Sequence, residues 1–331
     1  MTSLTINVYR GNLIESRHKA ICSIKNSRGK LILSTKNEKD LIYPRSAIKI
    51  FQALPLLNSK SFDKMNLNQK NIAIACSSHS AEKIHISVLK NWLNKLKIKA
   101  NALECGIHAP LDNRSAENLL FSKKKPNQLH NNCSGKHLGM ISGCISENIS
   151  YKNYINFNHL YQKKIRTILE YFMNAKINKN SFAVDGCGAP QYAFKMGDLS
   201  NSMINLLLEK NKKSINGVAV NRALKAINKY PELIAGSNRF DTDVIKYTEG
   251  RIFCKGGAEG VLLFCDLKNK IGGVIKIIDG NERARASISM KIFLKLNLLS
   301  KKEKQFLSSW SETKILNHAK KKIGSIQAEI K

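Results

Sequence analysis

The chain has little of what would place it in a membrane, outside the cell or on a nucleic acid. No window offers about 18 consecutive apolar residues, so no membrane span and no membrane partner are expected. Residues 1–10 (MTSLTINVYR) lack the basic start and apolar core of a secretory signal, which points to the cytoplasm. Acidic residues are scarce, 24 against 55 basic ones, and the formal net charge is +31. Arginine is scarce too: 11 of the basic residues are Arg, and the lysines are spread along the whole chain. Arginine forks and clustered basic stripes, the signs of phosphate or base recognition, are missing, so no nucleic-acid partner is expected and the lysines read as a solvated surface. Abundant Lys, Asn and Ile together are what an AT-rich genome produces. Eight cysteines in a long chain without an export signal read as reduced thiols, most of them small buried hydrophobes and one or two free to bind metal.

What is present is enough chain for a sizeable core: 331 residues, 43% hydrophobic, sufficient for one large domain or two smaller ones. Loose alternation over residues 4–9 and 19–25, with an apolar run at 30–35 after an Arg-Gly turn signal, predicts a hairpin or meander. Residues 44–57 (PRSAIKIFQALPLL) predict a buried helix entered through Pro44 and a capping Ser46 and closed by Pro55. Residues 71–76 (NIAIAC) read as a short buried strand that runs into the polar cluster Ser77-Ser78-His79-Ser80. Helical spacing recurs over 84–96 (Ile84, Val88, Leu89, Trp92, Leu93, Leu96), 159–175, 199–210 and 217–230, and a helix opens near 130–140. Residues 105–115 and 236–243 read as loops. Short strands are expected at 181–184, 252–254, 260–267 and 272–278, followed by a helix from about 281 and a Lys-rich C-terminal helix. Strands at both ends enclosing a helical middle predict an α/β protein whose single sheet is built from both termini. The expected organisation is one catalytic unit over 1–331, with a sheet part at about 1–45 and 250–331 and a largely helical part at about 46–249.

Three constellations carry chemistry. Ser46 and Lys49 lie three residues apart and share a helix face, so a lysine that burial keeps neutral could take the serine proton. The spacing itself says little, since Ser16/Lys19, Ser27/Lys30, Ser61/Lys64, Ser80/Lys83, Ser87/Lys90, Ser122/Lys125 and Ser311/Lys314 repeat it; what distinguishes this copy is its apolar helix. Cys133-Ser-Gly-Lys136-His137 follows His130, and His130, Cys133 and His137 could reach a common point. Cys187 lies in a similar glycine-bounded turn, and two thiolates with a nitrogen would suit zinc. The competing reading is a glycine-rich helix start that holds an anion on its N–H groups. Lys255-Gly256-Gly257-Ala-Glu-Gly260 allows the close backbone approach that a substrate pocket or oxyanion hole requires, and equally serves as a plain hairpin turn.

Arg45-Ser-Ala-Ile-Lys49 with Phe51-Gln-Ala-Leu-Pro-Leu-Leu57, Cys76-Ser-Ser-His-Ser80, Cys105-Gly-Ile-His-Ala-Pro110, Asn132-Cys-Ser-Gly-Lys-His137, Asp185-Gly-Cys-Gly-Ala-Pro190, Arg239-Phe-Asp-Thr242, Lys255-Gly-Gly-Ala-Glu-Gly260 and Lys276-Ile-Ile-Asp-Gly280 together resemble the rhizobial-type asparaginase II family. The blocks stand in the family's order and cover roughly residues 5–290. The resemblance implies a fold similar to serine β-lactamases and penicillin-binding proteins, and hydrolysis of L-asparagine to L-aspartate and ammonia. It implies two serine–lysine pairs, Ser46 with Lys49 and Ser78 with Lys255, and a zinc site of Cys133, Lys136 and Cys187. His137 then becomes a neighbour of the metal or a substrate contact. Asp185 and Arg45 are candidates to grip the substrate's α-amino and α-carboxylate groups, and backbone N–H groups near Gly256 to hold an oxyanion. A homodimer is expected. Ile50 departs from the proline that the family usually carries after the helix lysine. The alternatives are a β-lactam- or peptidoglycan-processing serine hydrolase, and a non-catalytic zinc- or nucleic-acid-binding protein.

Overall fold

The computed structural model describes residues 2–59 and 61–331. Met1, the first residue of the N-terminal stretch considered above, lies outside them. The chain forms two compact units, one of residues 1–47, 194–207 and 243–331 and the other of residues 48–193 and 208–242.

The first unit is organised on an eight-stranded sheet drawn from both ends of the chain. The strand order is Glu312–Leu316, Lys322–Ile330, Leu4–Arg10, Leu13–Asn26, Ile271–Ile277, Val261–Asp266 and Ile252–Gly257, with Leu31–Ser34 also pairing Leu13–Asn26. All pairings are antiparallel, both within hairpins and where strands from the two ends of the chain meet. Val261–Asp266 is buried at every position, which is why residues 261–265 are continuously apolar rather than alternating. The helix Arg285–Lys295 packs on this sheet through Ile288, Met290, Ile292 and Phe293, and the Phe293 ring meets Phe264 at 4.9 Å between centroids. The expected C-terminal helix is corrected here: short helices Lys301–Phe306 and Ser308–Ser311 precede a β-hairpin. Pairing with Leu4–Arg10 buries Ile326 and Ala328 and leaves Gln327 between them exposed, an alternation that lysine abundance hides in the sequence.

The second unit is helical and centred on Lys49–Asn58, which packs against Gln69–Ala75, Ser134–Ser146, Leu160–Met173 and Ile215–Lys229. Three expectations for this part of the chain are corrected. Ser46 does not cap the helix: it lies in a 3₁₀ turn, Arg45–Ile48, and the α-helix begins at Lys49 without a side-chain cap. Pro55 does not end it either. Leu54, Leu56 and Leu57 are buried, and their packing offsets the hydrogen bond that the proline cannot donate. Residues 71–76 are not a strand. Asn68 accepts from Lys70 N–H while Asn71 reaches back to Asn68 N–H at 3.0 Å, a reciprocal cap that starts the helix Gln69–Ala75. A fully buried apolar run of that length has no periodicity to distinguish helix from strand.

Candidate active site

In the helical unit the site is assembled from two helices and the turns beside them. Lys49, in the first turn of its helix, is 1% exposed. Its Nζ lies 2.6 Å from the carbonyl oxygen of Ser77, 2.8 Å from Ser78 Oγ and 3.3 Å from the carbonyl oxygen of Asn132. Ser77 and Ser78 follow the end of the helix Gln69–Ala75. Ser77 Oγ turns back to donate to Ile74 O, and Ser78 N–H donates to Ile234 O, so the backbone presents the half-buried Ser78 hydroxyl in a fixed direction. Asn132 is held from behind, since its N–H donates to His108 Nε2 at 3.0 Å, while His108 Nδ1 lies 2.6 Å from Ala109 O.

The partner types matter. Two of the three are carbonyl oxygens, which only accept; the hydroxyl alone can also donate. A neutral Lys49 amine would give N–H to the carbonyls and turn its lone pair to the Ser78 O–H, which is the arrangement of a general base beside a nucleophile. The resemblance paired Ser78 with Lys255; the hydrogen bond present in this unit runs from Lys49 to Ser78.

A second cluster lies at the start of Ser134–Ser146. Cys133 precedes that helix, and Lys136 in its first turn places Nζ 3.0 Å from Cys187 Sγ. Cys187 and Asp185 come from the turn between the strands Phe182–Val184 and Pro190–Tyr192, closed by Gly188 at φ +79°. The ligand atoms of Cys133, Asp185 and Cys187 all lie within 4.8 Å of one another. A hydrogen bond from Cys133 lowers the Cys187 thiol to about 5 against its burial, helped by the Lys136 charge. The same bond and burial raise Cys133 to about 12. Burial works against a charged Lys136, but Cys187 and Cys133 outweigh it and raise its pKa. Two thiols and a carboxylate at this separation could hold a metal ion, which would replace the thiol protons.

Neither histidine of the first metal reading joins this group. His130 Nδ1 accepts from Asn127 N–H at 2.9 Å. His137 is fully buried, its Nδ1 2.6 Å from the Tyr154 hydroxyl, and its Nε2 has no hydrogen-bond partner. Burial, with Lys136 adding to it, holds His137 down at about 3, so the ring is neutral. Asp185, expected at the substrate, stands beside the thiols, with Cys187 Sγ 3.6 Å from its Oδ2.

The remaining expected residues belong to the sheet unit. Lys255 is 2% exposed on the strand Ile252–Gly257, with Nζ 2.9 Å from Gly256 O. A Cβ at Gly257 would come within 2.3 Å of Pro44 O, so this strand lies directly against the turn that carries Arg45 and the half-buried Ser46. Arg45 is at φ +50°, which sharpens that turn. Gly256 has a packing reason of its own: the Arg285 guanidinium occupies the place of its missing side chain and donates to Gly257 O at 3.0 Å. Sequence reasoning missed Asn132, His108 and Tyr154 as supports, although the first two stand in the Asn132–His137 and Cys105–Pro110 blocks.

Architecture and site together describe a mixed α/β protein with a buried, hydrogen-bonded lysine–serine contact and a separate thiol-rich cluster. The profile of the L-asparaginase II family matches residues 6–328, and the chain belongs to that family of asparaginase-type hydrolases. Among solved structures, a candidate beta-lactamase from Bacteroides dorei DSM 17855 superposes with a TM-score of 0.38 at 10% identity, over 88% of this chain and 93% of that one. A likeness this small carries no argument about the site. No curated protein matches the chain. No helix among the described residues is long and apolar enough to cross a membrane.

Proposed function

We propose that the protein hydrolyses L-asparagine to L-aspartate and ammonia, with Ser78 as nucleophile and Lys49 as its base. The observation that carries this reading is the Lys49 Nζ placed 2.8 Å from Ser78 Oγ with two backbone carbonyls as its other partners. The neutral amine takes the Ser78 proton as Oγ bonds to the side-chain amide carbon. The resulting ammonium returns that proton to nitrogen as the C–N bond breaks and ammonia leaves. Water then attacks the ester, gives a proton to Lys49, and Ser78 recovers it as the acyl–oxygen bond opens. The sheet unit carries a second polar group, Lys255 and Gly256 on the strand that lies against the turn of Arg45 and Ser46.

Cys133, Asp185 and Cys187 would hold a zinc ion beside Lys136; bound there, it supplies a fixed positive charge that orders the turn at residues 185–189. His137 and its orphaned Nε2 complete the buried polar wall of this cluster. The test is ammonia release from asparagine, glutamine and a β-lactam by the purified protein, with Ser78→Ala and Ser46→Ala in parallel. Full activity in Ser78→Ala removes Ser78 as nucleophile. Acylation by a penicillin-type probe without asparagine turnover removes the asparaginase reading.

A further inference from the structure

A cavity of about 720 Å³ opens in the helical unit between the helices Lys83–Leu96 and Asn113–Phe121 and the turn Gln128–His130. Its volume falls in the range of small-molecule sites. Each helix offers it one face. Lys83, Ile86 and Lys90 recur at three- and four-residue spacing on the first, and Ser115, Leu119 and Ser122 on the second. Lys124 and Lys125 close one end, and Leu129 and His130 lie on the wall.

The charges here differ from the general lysine surface. Four lysines line one cavity, no carboxylate does, and none of the four ammonium groups makes an ion pair among the described residues. Lys83 and Lys90 lie two turns apart, about 10 Å along the helix, so a single carboxylate could not engage both. His130, on the wall, is nine-tenths buried, with its Nδ1 2.9 Å from Asn127 N. Burial lowers its pKa, and the charge of Lys90 lowers it further, so the lysine field reaches the inner wall. Beside these donors, Ile86, Leu119 and Leu129 provide an apolar bed.

We propose that this cavity binds an organic polyphosphate, of the nucleoside polyphosphate class, with its phosphates on Lys83, Lys90, Lys124 and Lys125 and its ring on Ile86, Leu119 and Leu129. Lysine suits phosphate as a mobile point charge, and several lysines suit a chain of phosphates better than an isolated one. The site is separate from the Lys49–Ser78 pair, and its existence does not depend on the reaction catalysed there.

The test is calorimetric titration of the full chain with adenosine triphosphate and with inorganic tripolyphosphate at about 0.15 M salt, where diffuse surface attraction is screened. Expected are saturable binding of the nucleotide below about 1 mM, a loss of at least about tenfold in Lys90→Glu/Lys125→Glu, and a change under about twofold in Lys301→Glu/Lys302→Glu, which carries the same charge change elsewhere. Leu119→Trp, which fills the bed and keeps every charge, should weaken the nucleotide more than tripolyphosphate. No saturable nucleotide binding overturns the proposal. Equal losses in the two charge-reversal variants reduce it to the overall field of a +31 chain. Tripolyphosphate binding as tightly as the nucleotide, with Leu119→Trp unaffected, removes the ring site.

Discussion

Two lysines in the helical unit, Lys49 and Lys136, are about equally buried, at 1% and 4% exposed, and yet have opposite surroundings. Lys49 meets neutral oxygens: two carbonyls and a hydroxyl. Lys136 meets Cys187 Sγ at 3.0 Å, with Cys133 and Asp185 close enough to act on its charge. The oxygens around Lys49 carry no full charge, whereas the sulfurs beside Lys136 hold the proton on it. The difference teaches that burial alone assigns no role to a lysine. The charge of its partners divides a candidate base from a counter-cation that gives way only when a metal takes over the thiolates.

The largest expected effect is at the chemical step. Lys49→Met and Ser78→Ala should each lower ammonia release from asparagine by about a thousandfold or more, and Lys136→Met by clearly less when metal content is matched. Steady-state kinetics with the metal measured alongside decides it, and an equal loss in kcat for both lysine variants would break the comparison.

Next comes metal. Zinc added back to chelator-treated protein should raise unfolding free energy by about 3 kcal/mol at a hundredfold excess over Kd, and Cys133→Ser or Cys187→Ser should abolish the gain. Thermal unfolding with and without chelator reads this directly. A gain that persists in both serine variants would place the ion elsewhere.

A geometric coupling follows. A Cβ at Gly135 would lie 2.1 Å from Ile74 O, so the helix bearing Lys136 rests on the one that leads into Ser77 and Ser78. Gly135→Ala should cost about 1–3 kcal/mol in urea unfolding, because a backbone oxygen cannot swing away as a side chain can. A neutral result would show that the two lysine environments are not in tight register.

The smallest effect is a pH slope beside Ser78. His79 and His85 are both held below 6.5, chiefly by burial, and their neutral rings are partly committed as acceptors from Ala81 and Glu82 N–H. Below pH 6.5 the unfolded chain binds protons that the native chain refuses, so stability falls as pH falls. Urea midpoints between pH 7.5 and 5 should show this limb, and His79→Asn should flatten it. An unchanged limb would assign the protons to other groups.

Much of this was legible before any coordinates. The glycine-bounded blocks, in order, pointed to the family whose profile covers residues 6–328. Strand patterns at the two ends pointed to a sheet shared between them, because hairpin periodicity and turn residues are local signals. Where local signals were ambiguous the reading failed. Residues 71–76 lack polar positions to mark a period, Pro55 overstated its power against a packed helix, and the C-terminal lysines hid an alternating strand.

The sequence by itself determined the residue inventory: buried lysine beside serine on an apolar segment, paired cysteines in glycine-bounded turns, and a lysine surplus without arginine. Only the tertiary structure decided which of these meet. Lys49 finds Ser78 across 29 positions and Asn132 across 83, and Lys136 finds Cys187 across 51. Spacing within one helix cannot encode such contacts. They arise because helix ends and tight turns from distant parts of the chain are packed to within a hydrogen bond, and that packing, rather than the Ser-x-x-Lys interval, selects one lysine from among many.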